Sequence, residues 1–273
     1  MPDGGSTGIG ASVKRKEDYR FLVGEGNYTD DINRPNQTYT YMLRSSSAHA
    51  KFSLDTSNAS KAKGVVRIFV GTDMEVGSIP CGWQVDSKDG TPMREPAHPP
   101  IAKDKVRYVG EILAVIIAET LEDAKNAAEL IDVNYDDIPV IIDMQEALDN
   151  SKGLVHDEIE SNVCYDWEIG DSEAVDKAIS EAAHITSLDI RNNRLIPNAM
   201  ETRSAIGDYE HATGQYTLYT TSQNPHVIRL LMGAFVLGLP EHKLRVIAPD
   251  VGGGFGSKIF HYAEEAIVTW ASN

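Results

Sequence analysis

The densest chemistry-bearing pattern in the chain is Asp250-Val251-Gly252-Gly253-Gly254-Phe255-Gly256-Ser257-Lys258. Consecutive glycines admit positive φ and let backbone amides approach a bulky or anionic ligand closely. The stretch matches neither standard nucleotide fingerprint: Ser257 precedes Lys258 where a P-loop has glycine, and Ser257 also stands where the last glycine of G-x-G-x-x-G belongs. Glycine count alone leaves two readings open, a ligand cradle or a turn joining a strand to a helix. Phe255 favours the cradle. A plain linker has no use for a large aromatic, whereas a binding site needs an apolar wall beside exposed amides.

A second candidate is Ser222-Gln223-Asn224-Pro225-His226. Gln223 follows a strand-like run, Tyr216 to Thr221, and precedes a helix opened by Asn224 as N-cap and Pro225 as first residue. Ligands collect at such strand ends and helix N-termini. The neutral amide of Gln223 offers one polar cofactor atom both a donor and an acceptor. The competing reading is that Gln223 caps the helix start, and His226 reads as a surface or packing residue. In the segment Arg194 to Arg203, Glu201 stands between two arginines, so an internal ion pair is expected to hold its carboxyl low, which suits structure better than proton transfer. The remaining histidines show no H-x-x-x-H or H-E-x-x-H spacing, and no G-x-S-x-G elbow is present. Cys81 and Cys164 are too few for a four-cysteine zinc site, an iron–sulfur cluster or a disulfide framework. Any redox centre must be borrowed or non-cysteinyl, and no catalytic residue is assigned within this chain.

The elements that must position these residues are those of an α+β protein. With 273 residues, 41% of them apolar, the chain can bury a substantial core. Its net charge of -16 disfavours nucleic acid and anionic membranes as partners. No apolar run reaches the ~20 residues that span a bilayer, and Met1 to Gly10 lacks signal-peptide order, which points to a cytoplasmic protein. Strands are expected from Tyr28 to Leu43 and over Val65 to Val70, after a turn at Gly24 to Asn27. Five prolines between Gly77 and Pro100 mark an irregular excursion. Ile112 to Ala118 reads as a fully buried strand. Thr120 then caps a helix carrying Leu121, Ala124, Ala128 and Ile131, and a further strand through Val140 to Ile142 completes a βαβ-like unit. Beyond the polar stretch Asp149 to Asp166 come a short helix capped by Asp171, the strand and helix around Gln223 with its stop at Gly238, a strand over Leu244 to Ile247, and a helix from Ile259 to Trp270. The organisation is an N-terminal arm over 1–18, a first domain over 19–148, a linker over 149–166, and a last domain over 167–273 that reads as truncated at Asn273 inside an apolar helix.

These residues resemble the large, molybdenum-binding subunit of the xanthine dehydrogenase, aldehyde oxidase and carbon monoxide dehydrogenase family. Arg15 to Asp18 and Gly24 to Asp31 are similar to its entry segment, and Val106-Arg107-Tyr108-Val109-Gly110-Glu111 with the following apolar strand is similar to its α/β hammerhead domain. Pro197 to Arg203, Gln223 to His226 and Gly252 to Gly256 are similar to the opening of its first molybdopterin-binding domain. The resemblance implies a hammerhead domain followed by part of a molybdopterin-binding α+β domain. It implies molybdenum–molybdopterin, in the cytosine dinucleotide form, held by Gln223, Gly253, Gly254, Phe255 and Gly256, with Gln223 and Phe255 touching the metal centre. The implied reaction is hydroxylation of a small organic substrate with water-derived oxygen. Electrons would pass to 2Fe-2S and FAD on an iron–sulfur small subunit and a medium subunit. Aldehydes, N-heterocycles and carbon monoxide all fall within the family's range. Ile259 stands where purine-oxidising members carry a glutamate, and the family's general base lies in a later part of the subunit. The alternative is a non-catalytic anion-binding or assembly module on the same fold.

Overall fold

A computed structural model describes residues 8–273. The expected arm at Met1 to Gly10 lies mostly outside them. Two three-stranded sheets build the N-terminal half. Helix α1 (Asp18–Leu22) leads to β1 (Tyr39–Arg44), β2 (Ala50–Asp55), β3 (Val65–Val70), β4 (Lys105–Val106), β5 (Ile112–Ala118), helix α2 (Leu121–Ala128) and β6 (Asp132–Asp137). One sheet runs β1-β5-β3 and the other β4-β2-β6, every pair antiparallel.

β5 is buried at every position. Its Ala114, Ile116 and Ala118 pack on Ala124, Ala127 and Ala128 of α2, while Ile112, Val115 and Ile117 join a different cluster reaching into the C-terminal half. With both faces covered, no polar position is tolerated, which is why the strand reads as an unbroken apolar run. Thr120 caps α2 as expected, its side chain accepting from the Asp123 amide.

Three expectations are corrected here. The region from Tyr28 to Leu43 is strand only from Tyr39, because the Asp31 carboxylate accepts the Tyr28 amide at 2.8 Å and winds Thr29–Asp31 into a 3-10 turn. The strand after α2 is Asp132–Asp137, whose alternating burial hides behind polar residues, while Val140 and Ile142 are exposed and carry no strand. The βαβ-like unit is absent as well: β5 and β6 belong to different sheets, so α2 crosses from one to the other.

The C-terminal half contains helix α3 (Ser172–Ser180), β7 (Ala205–Glu210), β8 (Gln215–Thr220), helix α4 (Pro225–Leu231), β9 (Leu244–Ile247) and helix α5 (Ala263–Ala271). β8 pairs antiparallel with β7 and parallel with β9. Residues between α3 and β7 stay exposed and form neither helix nor strand over 181–200, including Ile185, Leu188 and Ile190. A π-helical turn extends α4 to Leu237, and Gly238, at φ 63°, ends it where the sequence places a stop.

Ile112, Val115 and Ile117 of β5 share one core with Leu218, Ile228, Met232, Val236 and Ile267. Phe69 of β3 meets Trp270 of α5 edge-on at 4.7 Å. At Gly77 the amide donates to the Val236 carbonyl at 2.8 Å, and an added Cβ would sit 1.8 Å from the Phe235 carbonyl oxygen. Gly77→Ala is therefore expected to cost roughly 1–3 kcal/mol by overpacking. Urea unfolding reads this directly; a midpoint unchanged from wild type would disprove the close approach.

Candidate functional site

Parallel pairing places the C-terminal ends of β8 and β9 side by side, with Tyr219 opposite Ile247. Gln223 follows the first end and the glycine stretch the second, so the two motifs meet at the sheet edge where α/β folds gather ligands. Their contact is direct. The Gln223 main-chain amide donates to the Lys258 carbonyl at 2.8 Å, and its side-chain Oε1 accepts from the Gly256 amide at 3.0 Å. The Lys258 amide lies 3.4 Å from the same oxygen. Two N–H donors facing one atom identify it as oxygen, which leaves the Gln223 Nε2 hydrogens without an acceptor among the described residues.

Gln223 does not cap the helix. Asn224 holds the N-cap position without a side-chain cap bond, and its own amide is accepted by Ser222 Oγ at 2.8 Å. The capping reading of Gln223 is thus displaced by a clamp to the glycine loop.

Backbone geometry explains the glycines individually. Gly253 and Gly256 lie at φ 99° and 89°, where side chains are strained. Gly254 is needed for space: a Cβ there would stand 2.3 Å from Gln223 Oε1 and 2.4 Å from its Cδ. Phe255 also takes positive φ, 50°, and is 72% exposed. The amides of Gly253, Gly254 and Phe255 donate to no acceptor among the described residues. These unpaired N–H groups belong to half-buried glycines and to Phe255 itself, whose side chain is exposed.

Behind the loop lies a pin that sequence reasoning missed. The Lys258 side chain is 1% exposed; its Nζ donates to the Glu201 carbonyl at 2.9 Å and to Glu201 Oε2 at 3.0 Å. Glu201 Oε2 also accepts the Gly252 amide at 2.7 Å. The expected pairing of Glu201 with arginines is corrected: Arg194 is exposed, and Arg203 stacks on the Tyr262 ring at 3.7 Å. Tyr262 in turn donates its hydroxyl to the Ser257 carbonyl at 2.6 Å. These anchors hold 257–262 out of the helix expected from Ile259, and α5 starts only at Ala263, where Glu265 accepts the Tyr262 amide. Lys258 looked like the end of a failed P-loop, and only its burial reveals its role.

A third anchor secures the loop's upstream end. Arg20 forms a two-pronged pair with Asp250, and the Asn27 amide donates to the same carboxylate at 2.8 Å. The arginine hydrogen bonds foremost, with the Asn27 amide, hold the Asp250 carboxyl down at about 2. Among the described residues no group of three or more His, Cys, Asp or Glu side chains could hold a metal ion. The site's available groups are therefore neutral donors and an apolar wall.

Residues 23–139 match the aldehyde oxidase and xanthine dehydrogenase, a/b hammerhead domain, and residues 155–273 match the molybdopterin cofactor-binding domain. The chain belongs to the xanthine dehydrogenase, aldehyde oxidase and carbon monoxide dehydrogenase family. Among its relatives, the carbon monoxide dehydrogenase large chain of Afipia carboxidovorans is 33% identical over 94% of this chain and 32% of its own length. The nicotine 6-hydroxylase large subunit of Paenarthrobacter nicotinovorans is also 33% identical, over 97% of this chain and 32% of its own. The crystal structure of quinoline 2-oxidoreductase from Pseudomonas putida 86 superposes with a TM-score of 0.85 at 31% identity, covering 96% of this chain and 33% of that one. A Cu,Mo-CO dehydrogenase structure gives the same TM-score and identity over 97% and 34%. The chain thus spans about a third of the length of these family members. No helix among the described residues is long and apolar enough to cross a membrane.

Proposed function

We propose that this chain is the N-terminal part of the molybdenum-cofactor-binding large subunit of a molybdenum hydroxylase, and that Gln223 and the glycine loop are its share of the cofactor site. The observation that carries this reading is the clamp: Gln223 Oε1 is held by the Gly256 amide while its Nε2 remains free beside an exposed Phe255. The residues fit the group. Molybdenum–molybdopterin, when bound, supplies the two-electron redox chemistry by which family members hydroxylate carbon with oxygen from water.

Gln223 Nε2 would hold the cofactor by donating to one of its polar atoms without adding charge. The amides of Gly253, Gly254 and Phe255 present partial positive charge to an anionic ligand. Phe255 would offer the ligand an apolar contact beside those amides. Neither Gln223 nor the loop moves a proton, and Glu201 is committed to Lys258 and the Gly252 amide. The general base belongs to a later part of the subunit.

The remaining roles rest on the family. The relatives' descriptions as a large chain and a large subunit support a multi-subunit enzyme, with 2Fe-2S on a small subunit and FAD on a medium subunit. The cytosine dinucleotide form of the cofactor and a cytoplasmic location complete the proposal. Substrates are aldehydes, N-heterocycles or carbon monoxide; Ile259, partly exposed near the loop, offers no carboxylate for purine recognition.

Full-length subunit matured with its partners should contain molybdenum in stoichiometric amount. A metal-free but correctly matured complex would favour a non-catalytic anion-binding or assembly module instead. Within the loaded complex, Gln223→Ala should lower turnover by about 10- to 100-fold, equivalent to ~1–3 kcal/mol, with little change in melting temperature. Full turnover at normal molybdenum content would remove Gln223 from the site.

A further inference from the structure

A cavity of about 690 Å³ opens between the Gly77 to Pro100 excursion, the turn joining β4 to β5, and residues 260–264; neither Gln223 nor the glycine loop lines it. That volume suits a small ligand. In a chain of net charge -16, its lining is unexpectedly basic: Arg44, Arg94, Arg107 and Arg203, with His98, His156 and His261.

The carboxylates present are largely engaged. Glu264 pairs with Arg44, and Glu95 accepts the Cys81 amide and Gln84 Nε2. Glu111 accepts the Arg107 amide at 2.6 Å, and burial pushes its carboxyl upward, toward the neutral form. The Arg107 and Arg203 guanidinium groups have no carboxylate within 4 Å among the described residues.

Three buried nitrogens of this lining have no hydrogen-bond partner among the described residues: Arg107 Nε, His156 Nδ1 and His261 Nε2. His156 Nδ1 is 3.4 Å from Glu158 Oε1 but lacks hydrogen-bond geometry. Buried polar atoms left unpaired are costly, so such a set in one cavity calls for a ligand. The nitrogens differ in kind. Arg107 Nε always donates. His261 Nδ1 lies 2.9 Å from the Glu265 carboxylate, which Thr220 Oγ1 also holds at 2.6 Å, so Nε2 is the ring nitrogen left for a ligand.

We propose that this cavity binds a tetrahedral oxyanion, inorganic phosphate or a phosphate monoester, with Arg107 Nε, His156 Nδ1 and His261 Nε2 as its partners. The site is independent of the molybdenum reading. Nothing in it depends on Gln223.

Titration of the full chain at pH 6, followed by histidine NMR shifts and calorimetry, tests it. Inorganic phosphate should bind with a measurable heat and shift the His156 and His261 signals. Glycerol 2-phosphate binding as well as inorganic phosphate indicates a monoester ligand; inorganic phosphate alone indicates the free ion. Arg107→Gln and, separately, His156→Asn should each weaken phosphate binding at least 10-fold while leaving the melting temperature of the unliganded chain and the molybdenum content of the full complex unchanged. Absence of phosphate binding, or undiminished binding in both folded variants, would overturn the proposal.

Discussion

Lys258→Met should destabilise the folded chain by about 3–5 kcal/mol, because it strands the Glu201 carboxylate in a buried setting without its cation. The Lys258 side chain is 1% exposed and Glu201's 16%, and both Lys258 bonds converge on one residue. Glu201 Oε1 is already buried without a partner, so nothing nearby takes over the lost charge. Adding Glu201→Gln to the same chain should recover much of the loss, since a neutral pair no longer buries an isolated charge. Denaturant unfolding of the two singles and the double closes this cycle. Additive losses, or a single-variant loss below about 1 kcal/mol, would show that the pair does not hold the loop.

Gly254→Ala should abolish most activity of the full subunit while sparing its fold. The new methyl would overlap the middle of the Gln223 side chain, at 2.4 Å from Cδ and 2.6 Å from Cγ, and so must drive it from the clamp. Loss of the Gln223 contact and obstruction of the cradle combine, and turnover is expected to fall by about 100-fold, equivalent to ~3 kcal/mol. Gly256→Ala is the informative partner. Its φ of 89° strains any side chain, yet no atom lies within 4 Å of the added Cβ. That variant should lose roughly 1–3 kcal/mol of stability with a smaller loss of activity per folded molecule. If the two variants instead lose activity and stability in the same proportion, the loop is structural and Gln223 is not displaced.

Much of this site was legible because its signals are local. Four glycines around a phenylalanine, and a glutamine at a strand end, announce themselves through residue type alone. Their meeting was foreseeable only in outline, since it depends on β8 and β9 being parallel neighbours. What stayed hidden were contacts made across long stretches of chain. Glu201 has arginines near it in sequence, but its partner is Lys258, 57 residues away. Asp250 is held by Arg20 and Asn27 from the opposite end of the molecule. The strand errors have a different origin. β6 escaped notice because its half-buried residues, Val133 and Tyr135, alternate with acids and an asparagine, whereas the apolar Val140 to Ile142 attracted attention and stays outside the sheets. Likewise Ile259 to Tyr262 has helical spacing, but side-chain anchors to the glycine loop override it.

The core shared by β5, α4 and α5 bears on how such proteins evolve. Two sequence families meet in this chain, one ending near residue 139 and the next beginning near 155. Interfaces between separable domains are comparatively polar and permit relative motion. Here Val115 and Ile117 lie in the same buried cluster as Met232 and Ile267, and Phe69 is seated against Trp270. A hammerhead transplanted from a relative would bring a β5 whose outer face must interlock with α4 and α5 of its new host, so recombination at the apparent seam would leave holes or clashes. A change of side-chain volume in β5 is therefore expected to need a compensating change in helices more than a hundred residues later.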